Sequence, residues 1–177
     1  ILRKPSRKPV ADPPHALGRI EGDIFIIRPT PLNNKPYGLV LVDRKIRFRF
    51  IRLLKSKEDV VIEAKSAIEN LYHTYKRYPA HFYYDGGKEI RRLLPYFTEK
   101  GITFSESSPY AHNQNGLPER SIRVILDRLR AIMIALGLPF TLWRYVIGLV
   151  VNIINRIANT TKELTPYQLF HDKLRPS

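Results

Sequence analysis

Three short apolar runs follow one another before any helical period begins, and that order limits the folds open to this chain. Asp23-Ile24-Phe25-Ile26-Ile27-Arg28 is polar only at its ends and is closed by Pro29 and Pro31, which suits a strand buried on both faces. Tyr37-Gly38-Leu39-Val40-Leu41-Val42 follows across an Asn33-Asn34 turn, as the second arm of a hairpin. In the third run Ile46, Phe48 and Phe50 alternate with Arg47 and Arg49, placing apolar groups on one face and cations on the other. Residues 44–57 hold seven cations and no acid. Two readings fit this stretch, an edge strand protected by charge and a phosphate-contacting stripe, and they are compatible.

Helical periods then alternate with short strands. Val60, Val61, Ala64, Ala67, Ile68, Leu71, Tyr72 and Tyr75 recur at helical spacing and predict an amphipathic helix over 58–76, with Glu58 and Asp59 suited to its positive end. A strand over 80–84 ends on Asp85-Gly86-Gly87, where glycines permit a sharp exit. A helix over 88–99 and a strand over 102–105 come next, despite Pro95. After a polar loop to 115, a helix is expected from about 116 to 136 with the stripe Ile122, Ile125, Leu129, Ile132, Met133 and Leu136. Pro139 restarts a helix through Trp143, Val146, Val150 and Ile154, and 166–169 reads as a last short turn. Three strands, then helix, strand, helix, strand and further helices predict an α/β fold: a mixed sheet with helices on both faces, as in an RNase H-like arrangement.

The division expected is a basic, Pro-rich lead-in over 1–20, a core over 21–136 and a helical extension over 137–177. The chain opens on Ile1 and its one Met is Met133, so it reads as a segment of a longer product. Residues 1–14 are basic and Pro-rich without the apolar centre of a signal peptide. The apolar stretch 142–158 is too polar to cross a bilayer, so a soluble, intracellular protein is expected.

Among the 177 residues, thirty Lys and Arg against sixteen Asp and Glu give a net charge of +14, a field that favours a polyanionic partner, nucleic acid first. The absence of Cys excludes disulfides, thiol nucleophiles and Cys-containing zinc motifs. Any metal must then be held by Asp, Glu or His. Asp23 opens an apolar strand, where a carboxylate needs compensation. Asp85 ends another strand, and Glu119 sits in the first turn of a helix, three residues before Ile122. A helix covering the sheet would bring the three together. Clustered carboxylates repel unless cations neutralise them, and an all-oxygen set suits Mg²⁺ or Mn²⁺. Two such ions about 3.5–4 Å apart would serve phosphoryl transfer. Each acid also has an ordinary role: a strand-end cap for Asp23, a turn for Asp85, favourable helix-dipole placement for Glu119. Trp143 and the Tyr83-Tyr84 pair are candidates for base stacking, although their apolar surroundings favour core packing.

Ser108-Pro109-Tyr110-Ala111-His112-Asn113-Gln114-Asn115-Gly116-Leu117-Pro118-Glu119-Arg120-Ser121 resembles the segment around the catalytic Glu of retroviral and retrotransposon integrases, whose common form reads P-Y-x-x-x-Q-N-G-x-x-E-R. With Gly22-Asp23, Tyr84-Asp85-Gly86-Gly87, Gly137-Leu138-Pro139, Leu142-Trp143 and Thr165-Pro166-Tyr167, the resemblance extends over residues 17–176. The set is similar to the integrase catalytic core of a copia-type LTR retrotransposon polyprotein, with a fungal cast in Glu119-Arg120-Ser121-Ile122.

The resemblance implies a polynucleotidyl transferase that processes retroelement DNA ends and joins them to target DNA in the nucleus, working as a multimer with Mg²⁺ or Mn²⁺. By motif position, Asp23, Asp85 and Glu119 match the three metal-binding catalytic acids. Tyr110, Asn113, Gln114 and Asn115 match a loop that touches DNA, and Arg120 and Arg123 lie on the following helix, available to phosphate. Arg47 and Arg49 complete the expected nucleic-acid contacts. The chain departs from the family pattern in having Tyr84-Asp85-Gly86-Gly87-Lys88-Glu89 where Ser-Asp-Asn-Gly-Gly-Glu is usual. Asp43-Arg44 stands in place of an Asp pair, and the 34 positions from Asp85 to Glu119 are slightly fewer than usual. Asp43 and Glu89 are fallback ligands. The competing readings are a catalytically degenerate fragment that only binds nucleic acid and a nuclease without joining activity.

Overall fold

The computed structural model describes residues 12–28, 35–84, 88–106, 116–158 and 164–174. Its strands are β1 (Ile20–Ile26), β2 (Tyr37–Asp43), β3 (Arg49–Leu54), β4 (His81–Tyr84) and β5 (Thr103–Glu106). The helices are α1 (Val60–Tyr75), α2 (Leu94–Glu99), α3 (Gly116–Ala135), α4 (Trp143–Arg156) and α5 (Pro166–Leu174), with 3₁₀ turns at Lys88–Leu93 and Phe140–Leu142. The five strands form one sheet in the order β3-β2-β1-β4-β5. β1, β2 and β3 pair antiparallel, while β1–β4 and β4–β5 are parallel.

Strand alternation divides the buried residues between two layers. Ile20, Leu39, Leu41, Phe82 and Tyr84 pack with Ala64 and Ile68 of α1, Phe97 of α2 and Phe170 of α5. On the other face Phe25, Val40 and Val42 pack with Ile125, Leu129 and Met133 of α3 and Trp143, Val146, Val150 and Ile154 of α4. This is the mixed sheet with helices on both faces that the element order predicts. Trp143, Tyr83 and Tyr84 are buried, so they serve packing and offer no open face for stacking on a base.

Several elements differ from the expectation for identifiable reasons. The third strand starts at Arg49, because the Asp43 carboxylate accepts the Lys45 and Ile46 N–H groups at 2.8 and 3.0 Å. This side-chain capture competes with ladder formation and leaves Arg47 in the left-handed region at φ 65°. Pro95 has no N–H to give, so α2 proper begins at Leu94 and the chain before it winds as a 3₁₀ turn. The lead-in is anchored at its end: Ala16 and Leu17 are buried, and Leu17 donates its N–H to Asp43 Oδ2 at 2.6 Å. The final turn is a full helix, α5, whose Phe170 stacks on Phe48 with ring centroids 4.2 Å apart. At the end of α3, Gly137 adopts φ 62° and leaves Leu136 exposed, outside the buried stripe.

Glycine matters most where β2 meets β1. Gly38 lies opposite Phe25, and a β-carbon there would collide with the Phe25 ring. The bare backbone lets that ring lie flat across the hairpin beside Asp23, on the face covered by α3.

Candidate active site

Two of the three expected acids open into one cleft. Its first wall is Asp23, Ile24 and Phe25 of β1; its second is the flank of α3 carrying Glu119, Ile122, Arg123, Leu126, Asp127 and Arg130. The cleft encloses about 570 Å³ and is open to solvent. Phe25 packs with α3 and α4, so Asp23, two residues earlier on the same strand, stands on that face too. Asp23 is half-buried, and its Oδ1 accepts the Ile24 N–H at 2.7 Å. Glu119 is exposed in the first turn of α3, where a carboxylate complements the helix dipole.

Asp85, Tyr110, Asn113, Gln114 and Asn115 lie outside the described residues. The parallel pairing of β1 with β4 is described up to Gly22 opposite Tyr84, one residue before Asp23 and one before Asp85 in the sequence. Among the described residues no three metal-ligating side chains come together. The two described candidates are carboxylates, hard oxygen donors of the type that Mg²⁺ and Mn²⁺ take.

The expected basic contacts separate. Arg123 lines the cleft, and Arg120 is exposed on α3. Arg47 and Arg49 do not form the continuous stripe that alternation predicts, since residues 44–48 turn before the strand starts. Arg47 lies 3.3 Å from Asp12. Arg49 is tucked between the sheet and the helices: its Nε donates to Ser121 Oγ at 3.3 Å, and its backbone exchanges hydrogen bonds with the Asn155 side chain at 2.9 and 2.8 Å. Burial, followed by nearby Arg47 and Arg128, lowers the Arg49 pKa.

Asp43 is withdrawn as a fallback ligand. It is fully buried and accepts three backbone N–H groups, from Leu17, Lys45 and Ile46. Burial raises its pKa despite these bonds. Glu89 sits half-buried on the 3₁₀ turn before α2.

Three charged residues escape the sequence reading. Asp127 and Arg130 share the cleft, and the signal for them was present, since positions eight and eleven after Glu119 return to one helix flank. Glu21 is fully buried, held by Arg19 Nε at 2.8 Å and Arg44 at 2.6 Å. Its sequence signal is an acid inside an apolar run with arginines at positions 19 and 44.

Comparison with known proteins fixes the fold. The chain superposes on a subunit of the simian T-cell lymphotropic virus intasome, solved with PP2A regulatory subunit B56 gamma, with a TM-score of 0.75 at 20% identity over 98% of this chain and 63% of that one. It also superposes on the HTLV-2 integrase catalytic core domain solved in complex with magnesium in a dimeric form, with a TM-score of 0.66 at 19% identity over 89% of this chain and 98% of that one. The fold is RNase H-like. In sequence the chain is 33% identical over 153 residues to a retrovirus-related Pol polyprotein from transposon RE1 of Arabidopsis thaliana, covering 81% of this chain and 10% of the relative. It is 29% identical over 153 residues to that from transposon RE2 of the same plant, covering 84% and 10%. The chain therefore spans about a tenth of the length of these curated relatives. Both are plant elements, and they lend no support to the fungal cast read from residues 119–122. No family model matches the chain.

Proposed function

We propose that this RNase H-like chain is the catalytic core of an LTR-retrotransposon integrase, a polynucleotidyl transferase that processes element DNA ends and joins them to target DNA. The observation that carries the proposal is the shared cleft: Asp23 and Glu119, 96 positions apart in the sequence, line one open site between β1 and α3. The homology to retrovirus-related Pol polyproteins and the integrase-core fold support it.

In this reading Asp23, Asp85 and Glu119 hold Mg²⁺ or Mn²⁺ through carboxylate oxygens. Bound there, such ions would supply activation of the attacking oxygen and charge stabilisation for phosphoryl transfer. The chain's own part is to present the acids from rigid elements. The hydrogen bond from the Ile24 N–H fixes the Asp23 carboxylate, and Glu119 rides on a helix anchored by Ile125, Leu129 and Met133. Phe25 and Leu126 add apolar lining beside the acids. Tyr110, Asn113, Gln114, Asn115, Arg120 and Arg123 contact the DNA backbone and bases beside the reacting phosphate. The protein acts in the nucleus as a multimer, since joining two DNA ends takes more than one active site.

One observation favours a second reading, DNA binding without chemistry: Tyr84-Asp85-Gly86-Gly87-Lys88 departs from the family pattern beside the second acid. Strand joining on a branched, pre-joined DNA substrate separates the two. The proposal expects joining that requires Mn²⁺ and is abolished in Glu119→Gln. Folded protein that binds the substrate and never joins it would establish the binding-only reading, and release of fragments without joining would mark a nuclease.

A further inference from the structure

The cleft that holds Asp23 and Glu119 continues along α3 past the acids. Glu119, Arg123, Asp127 and Arg130 all line it, spaced four, four and three residues apart, so they form one stripe on one flank of the helix. At about 1.5 Å rise per residue, Arg123 lies about 6 Å and Arg130 about 16 Å along the axis from Glu119. The backbone positions of the two arginines are then about 10 Å apart along the helix axis, an offset from which both long side chains can reach different phosphates of one DNA strand.

The charge balance of this cleft is unlike that of the chain. The protein carries +14, yet the cleft lining has three carboxylates, Asp23, Glu119 and Asp127, against two guanidiniums, Arg123 and Arg130. Asp23 and Glu119 are accounted for by the proposed chemistry. Asp127 is not, and it stands where a polyanion would run. Its Oδ1 is 3.3 Å from Arg130 Nη1, with both side chains more than half exposed at 64% and 61%. An exposed pair of this kind is worth little to the fold, about 0–1 kcal/mol, so its partners exchange readily.

We propose that Arg130 is a phosphodiester-binding residue at the far end of the cleft, and that Asp127 holds it until DNA arrives. On entry of a DNA strand the Arg130 guanidinium leaves the Asp127 carboxylate for a backbone phosphate, to which it can donate two parallel hydrogen bonds. Asp127 then limits affinity: it competes for Arg130 and repels the incoming strand. The cost falls on any polyanion that lacks a phosphate at this distance from the reacting centre, so the pair sets how far along α3 a strand must extend to bind well. This rests on the reading of the cleft as the place where DNA is bound.

The test is DNA affinity of the full chain by fluorescence anisotropy across a salt series, using the branched substrate, with thermal melts to show that each variant folds. Arg130→Gln should weaken binding about tenfold and lower the salt slope by about 1, the signature of one lost phosphate contact. Asp127→Asn should act in the opposite direction, tightening binding severalfold, and shortening the DNA arm on that side should erase the difference between Arg130→Gln and wild type. Glu119→Gln separates this proposal from the catalytic one, because it should abolish joining while leaving the Arg130 effect intact. If Arg130→Gln binds with unchanged affinity and slope, or if Asp127→Asn weakens binding, the exchange is wrong even if the chain joins DNA. If joining is never seen while both variants behave as stated, the groove stands and the catalytic reading falls.

Discussion

Glu21 and Asp23 stand two residues apart on β1 and face the same side of the sheet, but the fold treats them as opposites. Glu21 is sealed from solvent and closed by Arg19 and Arg44, a cation from each side of the β1–β2 pairing. Arg44 reaches on to Asp12 at 3.5 Å, tying the lead-in to the same network. Asp23, one side-chain repeat further, lines an open cleft with Glu119. A carboxylate sealed off with the protein's own arginines is structural; one on the wall of an open cleft can be reached by solvent and ligands. Gly22 between them turns its missing side chain to the opposite layer.

The sharpest way to break this contrast is to exchange the outcomes of substitution. Asp23→Asn should lower DNA joining about a thousandfold, some 4 kcal/mol of barrier, while urea denaturation finds stability within about 1 kcal/mol of wild type. Glu21→Ala should do the reverse in stability, costing about 3–5 kcal/mol because it leaves two mostly buried guanidiniums without their carboxylate. Equal stability losses in the two variants would dissolve the distinction. Gly22→Ala sharpens it further: a β-carbon there would sit 2.8 Å from Leu41 Cδ2 and 3.3 Å from Tyr84 Cδ2, so overpacking should cost about 1–3 kcal/mol on the α1 side. DNA affinity measured on the folded fraction should stay near wild type.

Asp43 supplies the smallest effect and a third kind of carboxylate, buried and held by N–H groups with its pKa raised by burial. A raised folded-state pKa means that the native state binds its proton more readily than the unfolded chain. Stability should therefore fall as pH rises through the window from the ordinary Asp value to the raised one. Denaturation across that window should show wild type losing ground to Asp43→Asn as pH increases; a difference that is flat with pH would remove the assignment.

The two layers of the sheet were legible from alternation and helical period, because burial of Leu39 and Leu41 on one side and Val40 and Val42 on the other is a matter of strand parity. The start of β3 was not, since Asp43 redirects the chain by a side-chain hydrogen bond that no hydrophobic pattern records. The resemblance around Gly116 to Ser121 and the acid at 23 pointed to residues that do line one cleft. Pattern alone could not separate Arg49, drawn in by Ser121 and Asn155, from Arg123, which faces the cleft, because both are cations beside apolar residues. Asp127 and Arg130 recur at helical spacing from Glu119, but that spacing marks them as cleft residues only once the β1 wall opposite is known.

Manganese titration of the full chain, followed by calorimetry, bears most directly on the claim that Asp23, Asp85 and Glu119 share one centre. Wild type should bind the ion, Asp23→Asn, Asp85→Asn and Glu119→Gln should each weaken it at least tenfold, and Glu21→Gln, in folded protein, should leave it unchanged. Identical binding by wild type and all three acid variants would contradict the account.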